Sequence, residues 1–163
     1  MQADLFDSEY SSIDKKIQKT YAVMYCDGAS SGNPGNSGIG VVIDLSGNDA
    51  DPGAEKEIYR ISEFIGIATN NVAEYSALLK GLQKARSLGV NNIEIFLDSE
   101  LLVRQINGIY KVKNKNLIPL WVKAMNLLRD FDEYKVVHVR REMNKEADSL
   151  ATQAVKRKNM VKK

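Results

Sequence analysis

Four carboxylates, each in its own short word of sequence, are the residues of this chain best suited to do chemistry. They are Asp27 in Asp27-Gly28-Ala29-Ser30, Glu74 closing Thr69-Asn70-Asn71-Val72-Ala73-Glu74, Asp98 in Phe96-Leu97-Asp98-Ser99, and Asp148 closing Asn144-Lys145-Glu146-Ala147-Asp148. A carboxylate that ends an apolar strand is costly unless something positive compensates it. Hard oxygen donors gathered at strand ends suit Mg²⁺ or Mn²⁺ better than zinc or copper. Two such ions about 3.5–4 Å apart serve in-line displacement at phosphorus. The donor set therefore points to metal-dependent phosphodiester hydrolysis.

The elements that must position these acids can be read from the pattern around them. Tyr21 to Cys26 reads as a first strand ending at Asp27, and Gly28 to Gly38, rich in Gly, Ser and Asn, as a loop. Ile39 to Leu45 is a second strand with β-branched Val41, Val42 and Ile43; a turn at Gly47 to Gly53 leads to a third, about Glu55 to Ile67. Short turn-rich links between three strands predict an antiparallel meander. The period then changes: Tyr75, Leu78, Leu79, Leu82 and Ala85 recur at helical spacing, with Gly89 as a stop. Ile93 to Leu97 is a short buried strand, and Ser99 caps a helix to about Asn107. A helix follows Pro119, Lys135 to Val139 is the last strand, and Ala147, Leu150, Ala151 and Ala154 line one face of a closing helix. The expectation is an α/β domain: a mixed five-stranded sheet, an antiparallel three-strand meander plus two parallel strands, with helices on both faces.

In that arrangement Asp27 and Asp98 end parallel neighbouring strands and share one sheet edge. Glu74 and Asp148 fall in the first turns of their helices. Capping is the alternative role for both, because the helix macrodipole favours negative charge there.

Composition narrows the classes. At 163 residues, 44% hydrophobic and 27% charged, the chain is long enough for one well-packed domain. One cysteine, Cys26, excludes an internal disulfide and a multi-cysteine zinc site; one histidine, His138, disfavours a histidine metal centre or a serine-type triad. No run spans a bilayer and the amino terminus lacks a secretory pattern, so a cytoplasmic protein is expected. The net charge of +2 conceals an asymmetry: with the four proposed ligands set aside, 17 of the 21 acidic residues face 23 basic ones. Lys111, Lys113, Lys115 and Lys123 form one basic group, and Lys156, Arg157, Lys158, Lys162 and Lys163 another. Such a surface suits a nucleic-acid substrate, although the second group reads equally well as a solvated tail.

The words around the four acids resemble those of type 1 ribonuclease H. The resemblance extends to Gly32-Asn33-Pro34-Gly35, Gln105-Ile106-Asn107-Gly108, Lys113-Asn114 and Asp148-Ser149-Leu150-Ala151, in family order from about Thr20 to Val155. It implies residues 20–156 as a ribonuclease H-like catalytic domain, residues 1–19 as a flexible extension and residues 157–163 as a basic tail. The implied activity is hydrolysis of the RNA strand of RNA/DNA hybrids, leaving 5′-phosphate and 3′-hydroxyl ends. Asp27 would bridge two Mg²⁺ ions, with Mn²⁺ as a substitute, and Glu74, Asp98 and Asp148 would complete the shells. One ion would activate water and the other would stabilise the leaving 3′ oxygen. Arg141 matches an arginine that shorter members place at the site, with Arg140 as the alternative if the register slips by one. Asn33, Asn70 and Asn71 would contact the minor groove of the hybrid, where an amide can sense the 2′-hydroxyl as donor and acceptor. Thr69 and Asn114 would hold a phosphate of the DNA strand. Turn and cap chemistry is the alternative for each asparagine.

The chain departs from longer members in two places. The histidine loop before the last acid is absent, and His138 in Val136-Val137-His138-Val139 reads as packed or half-buried. The segment Asn107 to Asn114 has no room for the basic protrusion, so weaker and more salt-sensitive hybrid binding is expected. Cys26 reads as core packing and Glu100 as helix-start electrostatics. The Gly32 to Gly40 stretch lacks the Gly-Lys-Ser/Thr ending of a phosphate loop. Gln2-Ala3-Asp4-Leu5-Phe6 resembles the peptide by which bacterial replication proteins dock on the sliding clamp, an incidental polar tail being the other reading. A monomer is the expected state. The competing classes are a nuclease of the same fold acting on double-stranded RNA or serving as a retroelement's processing domain, and a non-catalytic nucleic-acid or clamp-binding module. Four mutually repelling acids near phosphates argue against the last.

Overall fold

The structure, a computed structural model, describes residues 20–48, 53 and 56–161. The Gln2–Phe6 peptide and the expected extension 1–19 lie outside the described residues. Five strands form one sheet in the order β3-β2-β1-β4-β5. They are β1 (Tyr21–Ser30), β2 (Gly35–Asp44), β3 (Ile58–Ala68), β4 (Asn92–Leu97) and β5 (Glu133–His138). The first three form the antiparallel meander, and β4 and β5 run parallel to β1. Among the described residues the α-helices are α1 (Asn70–Ser87), α2 (Glu100–Ile106), α3 (Ile118–Leu128) and α4 (Lys145–Val161). Among the described residues no helix is long and apolar enough to cross a membrane.

Burial alternates along β1, whereas β2 is buried on both faces, and the strand pleat assigns the side chains to each. Ala22, Met24 and Cys26 of β1 and Ile39, Val41 and Ile43 of β2 are fully or almost fully buried. A Cβ at Gly81 of α1 would meet Met24 and Val41, so α1 covers that face. Gly40, on the other face of β2, lies against Ala147 and Ala151 of α4, so the last helix covers the opposite side. The expected helices on both faces are present, and the core fills the space under α1 with Leu78, Leu82, Ile95, Leu97 and Leu128.

Two expectations about the first hairpin are corrected. β1 continues past Asp27 to Ser30, and β2 begins at Gly35, so the expected eleven-residue loop shrinks to residues 31–34. Asp27 pairs with Gly40 and Ser30 with Ser37 along this extension. Glycine and serine spoke for a loop by propensity, but small residues are needed here because α4 lies directly on the strand. A Cβ at Gly38 would sit 2.6 Å from the Ala151 carbonyl oxygen, closer than any real contact. At the other end, residues 157–161, expected as tail, continue α4. The third strand begins at Ile58, with residues 54–55 outside the described set.

Caps set the helix boundaries near the acids. Thr69 Oγ1 accepts from Val72 N at 3.2 Å and starts α1. Ser99 Oγ accepts from Leu102 N at 3.3 Å and starts α2 directly after Asp98. Pro119 stands in the first turn of α3, where its missing N–H costs nothing.

Candidate active site

Strand register brings the first two acids together. The last pair of the parallel β1·β4 ladder is Cys26 with Leu97, and the next residue on each strand is the carboxylate, Asp27 and Asp98. Glu74 joins them because α1 approaches the backbone after Asp27 without an intervening side chain. A Cβ on Gly28 would lie 2.4 Å from the Ala73 carbonyl carbon and 2.5 Å from Glu74 N, so Gly28 is what admits the helix. Glu74 falls in the second turn of α1, not the first as the sequence suggested; the first turn holds no acid. The macrodipole acts within the first turn, so capping is excluded as the role of Glu74. Asp148 is in the first turn of α4, as expected.

Asp27, Glu74 and Asp98 each offer an oxygen, and these oxygens all lie within 4.8 Å of one another. Asp148 borders the same open cleft of about 610 Å³, together with Asn70 and Arg141. Arg141 Nη2 stands 3.5 Å from Asp148 Oδ1, with its side chain 78% exposed, while Arg140 is not among the lining residues.

The electrostatics show what the cluster lacks by itself. Burial pushes the Asp27 carboxyl from its usual 3.8 up to about 7, and the charges of Asp98 and Asp148 push the same way. Glu74 is also held well above the carboxylate range, by burial first and then by Asp27. Both groups are thereby pushed toward the neutral form, and a nearby cation would favour their ionised forms instead. Among the described residues Glu74 Oε2 is enclosed with no hydrogen-bond partner, a buried oxygen that a cation would satisfy. An all-carboxylate set fits Mg²⁺ or Mn²⁺, so the residues present match the implied metal.

The structure adds a residue that the sequence reading did not single out. Asn144 is buried, and its Nδ2 donates to the Cys26 carbonyl at 2.9 Å and to Asp98 Oδ2 at 3.3 Å. Its main-chain carbonyl accepts from Asp148 N at 3.1 Å. The side chain thereby ties the end of β1 to the acid after β4, while the main chain of the same residue opens α4. Its position four residues before Asp148, opening the same word, was the available signal.

The expected substrate-contacting residues divide. Asn70 lines the cleft and Asn71 is exposed beside it in the first turn of α1. Asn33 Oδ1 accepts from Asn70 N at 3.1 Å, Thr69 is the helix cap, and Asn114 Oδ1 accepts from Asn116 N at 2.8 Å. The turn and cap chemistry foreseen as the alternative is therefore present for Asn33 and Asn114, both of them exposed. Asn114 is not among the residues lining the cleft. His138 is exposed, not packed: β5 is an edge strand in which Val136 alone is buried, and His138 is its last residue. Cys26 is fully buried, and burial, then Glu74 and Asp27, push its thiol up, which matches packing and not reactivity.

Known proteins share sequence and fold with this chain. Residues 25–154 match the family described as Reverse transcriptase-like. Ribonuclease HI of Halobacterium salinarum is 40% identical over 131 residues, covering 80% of this chain and 62% of that protein. Bifunctional protein Rv2228c of Mycobacterium tuberculosis is 38% identical over 82% of this chain, which spans 35% of that protein's length. The solved N-terminal RNase H domain of Rv2228c superposes with a TM-score of 0.75 at 37% identity, covering 83% of this chain and 98% of that one. LC11-RNase H1, solved in complex with an RNA/DNA hybrid, gives a TM-score of 0.72 at 36% identity, covering 83% and 97%. The class that fold and site define is thus a ribonuclease H-like α/β domain. Within it, the chain belongs to the type 1 ribonuclease H family.

Proposed function

We propose that this chain hydrolyses the RNA strand of RNA/DNA hybrids, with the scissile phosphate over the cluster of Asp27, Glu74, Asp98 and Asp148. The observation that carries the reading is the convergence of three carboxylate oxygens within 4.8 Å at the edge of a family sheet. LC11-RNase H1, a protein with this fold, was solved with such a hybrid bound.

Each residue then has a role its position supports. Asp27 is the buried centre of the cluster, and Glu74 and Asp98 flank it as the further oxygen donors. Asp148, nearer the open side, completes the set, and Arg141 beside it meets phosphate or leaving-group charge with its planar donors. When bound there, divalent cations supply charge stabilisation at phosphorus and a water ionised near neutral pH, so no protein nucleophile is needed. Asn70 and Asn71 at the start of α1, with Asn33 buttressing Asn70 N, suit the 2′-hydroxyl of the paired strand. Thr69 and Asn114 are assigned to a phosphate of the DNA strand.

The test is cleavage of end-labelled RNA/DNA hybrid, double-stranded RNA, single-stranded RNA and double-stranded DNA, in Mg²⁺, in Mn²⁺ and in chelator, for wild type and Asp27→Asn. The reading expects metal-dependent cutting of the RNA strand of the hybrid, lost in the variant, with 5′-phosphate and 3′-hydroxyl ends on the products. No cutting of hybrid in either metal would overturn it.

A further inference from the structure

The basic residues near the end of α4 do not act as one group. Arg157 Nη2 donates to the Ser62 carbonyl at 3.0 Å and to Ser62 Oγ at 2.9 Å, clipping the helix to β3. Lys158 Nζ lies 5.4 Å from the ring centroid of Phe64, also on β3. Lys156 turns the other way, into the wall of the acid cleft. It is exposed, and among the described residues no ion pair or hydrogen bond engages it.

The helix period explains why Lys156 shares a wall with Asp148. Asp148, Thr152 and Lys156 are spaced four apart and form one stripe on α4, and all three line the cleft. Eight residues at ~1.5 Å of rise place Lys156 about 12 Å along the helix from Asp148. At ~3.4 Å per nucleotide that is a few steps along a strand. The acids are confined to the other end, so this stretch of the cleft carries an uncompensated positive charge.

Donor accounting narrows the ligand. The hydroxyls of Ser30 and Ser31, opposite, are already spent on the carbonyls of Ala68 and Asn36 respectively, at 3.1 and 3.2 Å. Thr152 Oγ1 has no hydrogen-bond partner among the described residues. The donors on this wall are a point-like ammonium, a hydroxyl and, further along α4, the Asn159 amide, whose oxygen accepts from Asn36 Nδ2 at 3.2 Å; the ammonium and hydroxyl four residues apart suit a phosphate oxygen.

We propose that Lys156, seconded by Thr152, forms a phosphate subsite for the strand being cut, a few nucleotides from the scissile bond. This rests on the proposed hybrid substrate. It gives the chain a cationic contact on the wall of α4, on the Asp148 side of the cleft and away from the α2–α3 connection.

The experiment is the salt dependence of kcat/KM on RNA/DNA hybrid for wild type, Lys156→Gln, Lys156→Arg and Lys158→Gln. One lost phosphate contact flattens the slope of log(kcat/KM) against log[KCl] by about 0.7–0.9. Lys156→Gln should show that change with a several-fold higher KM and an unaltered kcat. Lys156→Arg should keep the wild-type slope, and so should Lys158→Gln, whose lysine faces β3. An unchanged slope in Lys156→Gln overturns the subsite, and so does equal flattening in Lys156→Gln and Lys158→Gln, which would be loss of general charge. Wild type inert on hybrid would sink the substrate reading and the subsite together, whereas active wild type with an unmoved slope would sink the subsite alone.

Discussion

The floor of the cleft and its rim are built on different terms. At the floor, Asp27 is buried, Glu74 is brought in over a glycine that admits no side chain, and Asn144 ties Asp98 to β1. At the rim proposed for the hybrid, Asn33, Thr69 and Asn114 are held by hydrogen bonds at nearby turns and helix starts, Asn33 and Asn114 exposed and Thr69 half-buried. Geometry at the floor is over-determined by backbone packing, so a change there alters the position or charge of every neighbour. The rim is a row of nearly independent contacts. Floor residues should therefore govern the rate of the chemical step, and rim residues the affinity.

The largest expected effect comes from the centre of the floor. Asp27→Asn removes a central donor charge and should lower kcat by at least about 10³-fold, the scale of losing a key electrostatic stabiliser. Thr69→Ala or Asn33→Ala should change kcat less than tenfold. Steady-state kinetics on hybrid would show it; comparable kcat losses at both places would erase the distinction.

Next in size is Asn144→Ala. Partners that orient metal ligands are worth about 10–100-fold in activity or metal affinity. The loss should fall on kcat and on the Mg²⁺ concentration needed for half-maximal rate, with KM for hybrid nearly unchanged. A KM effect alone would move Asn144 from the floor to the rim.

The floor also makes the protein's stability sensitive to pH in the absence of metal. Folded Asp27 keeps its proton up to about pH 7, whereas an unperturbed aspartate releases it near 3.8. Between those values the folded state binds more protons than the unfolded chain, so this group's contribution falls as pH rises. In chelator, the Tm of wild type relative to Asp27→Asn should drop steadily from about pH 4 to pH 7, and Mg²⁺ should reverse the drop. A difference that stays constant with pH would remove the argument. No rim residue carries such a signature.

How far the sequence disclosed this arrangement depends on whether a residue acts through its own strand or helix or through a distant neighbour. Asp27 and Asp98 were legible because two apolar runs each end in an acid and the runs had to pair parallel. The Gly28 to Gly38 stretch was misread because Gly28 answers to α1 and Gly38 to α4, and no local propensity encodes contacts with helices so far along the chain. His138 was misread for a related reason: Val136-Val137-His138-Val139 has a buried strand's composition, but the sheet order makes it an edge. Lys156 was indistinguishable from Arg157 and Lys158 until helix phase and the position of β3 separated them. Asn144 could be seen as part of a word but not as a tie, because its partners lie in β1 and after β4.

The smallest expected effect is at the rim and tests the comparison from the other side. Thr69 caps α1 through Val72 N, and removing such a cap costs about 1 kcal/mol of stability. Thr69→Ser keeps the cap oxygen and Thr69→Ala loses it, while both leave Glu74 a full turn further along the helix. If Thr69 also meets a phosphate, Thr69→Ala should raise KM a few-fold, and Thr69→Ser should restore both KM and Tm. A role confined to capping would lower Tm in Thr69→Ala and leave KM in place. A fall in kcat as large as that of Asn144→Ala would mean that α1 transmits the state of its cap to Glu74, and the floor would then begin at the helix start.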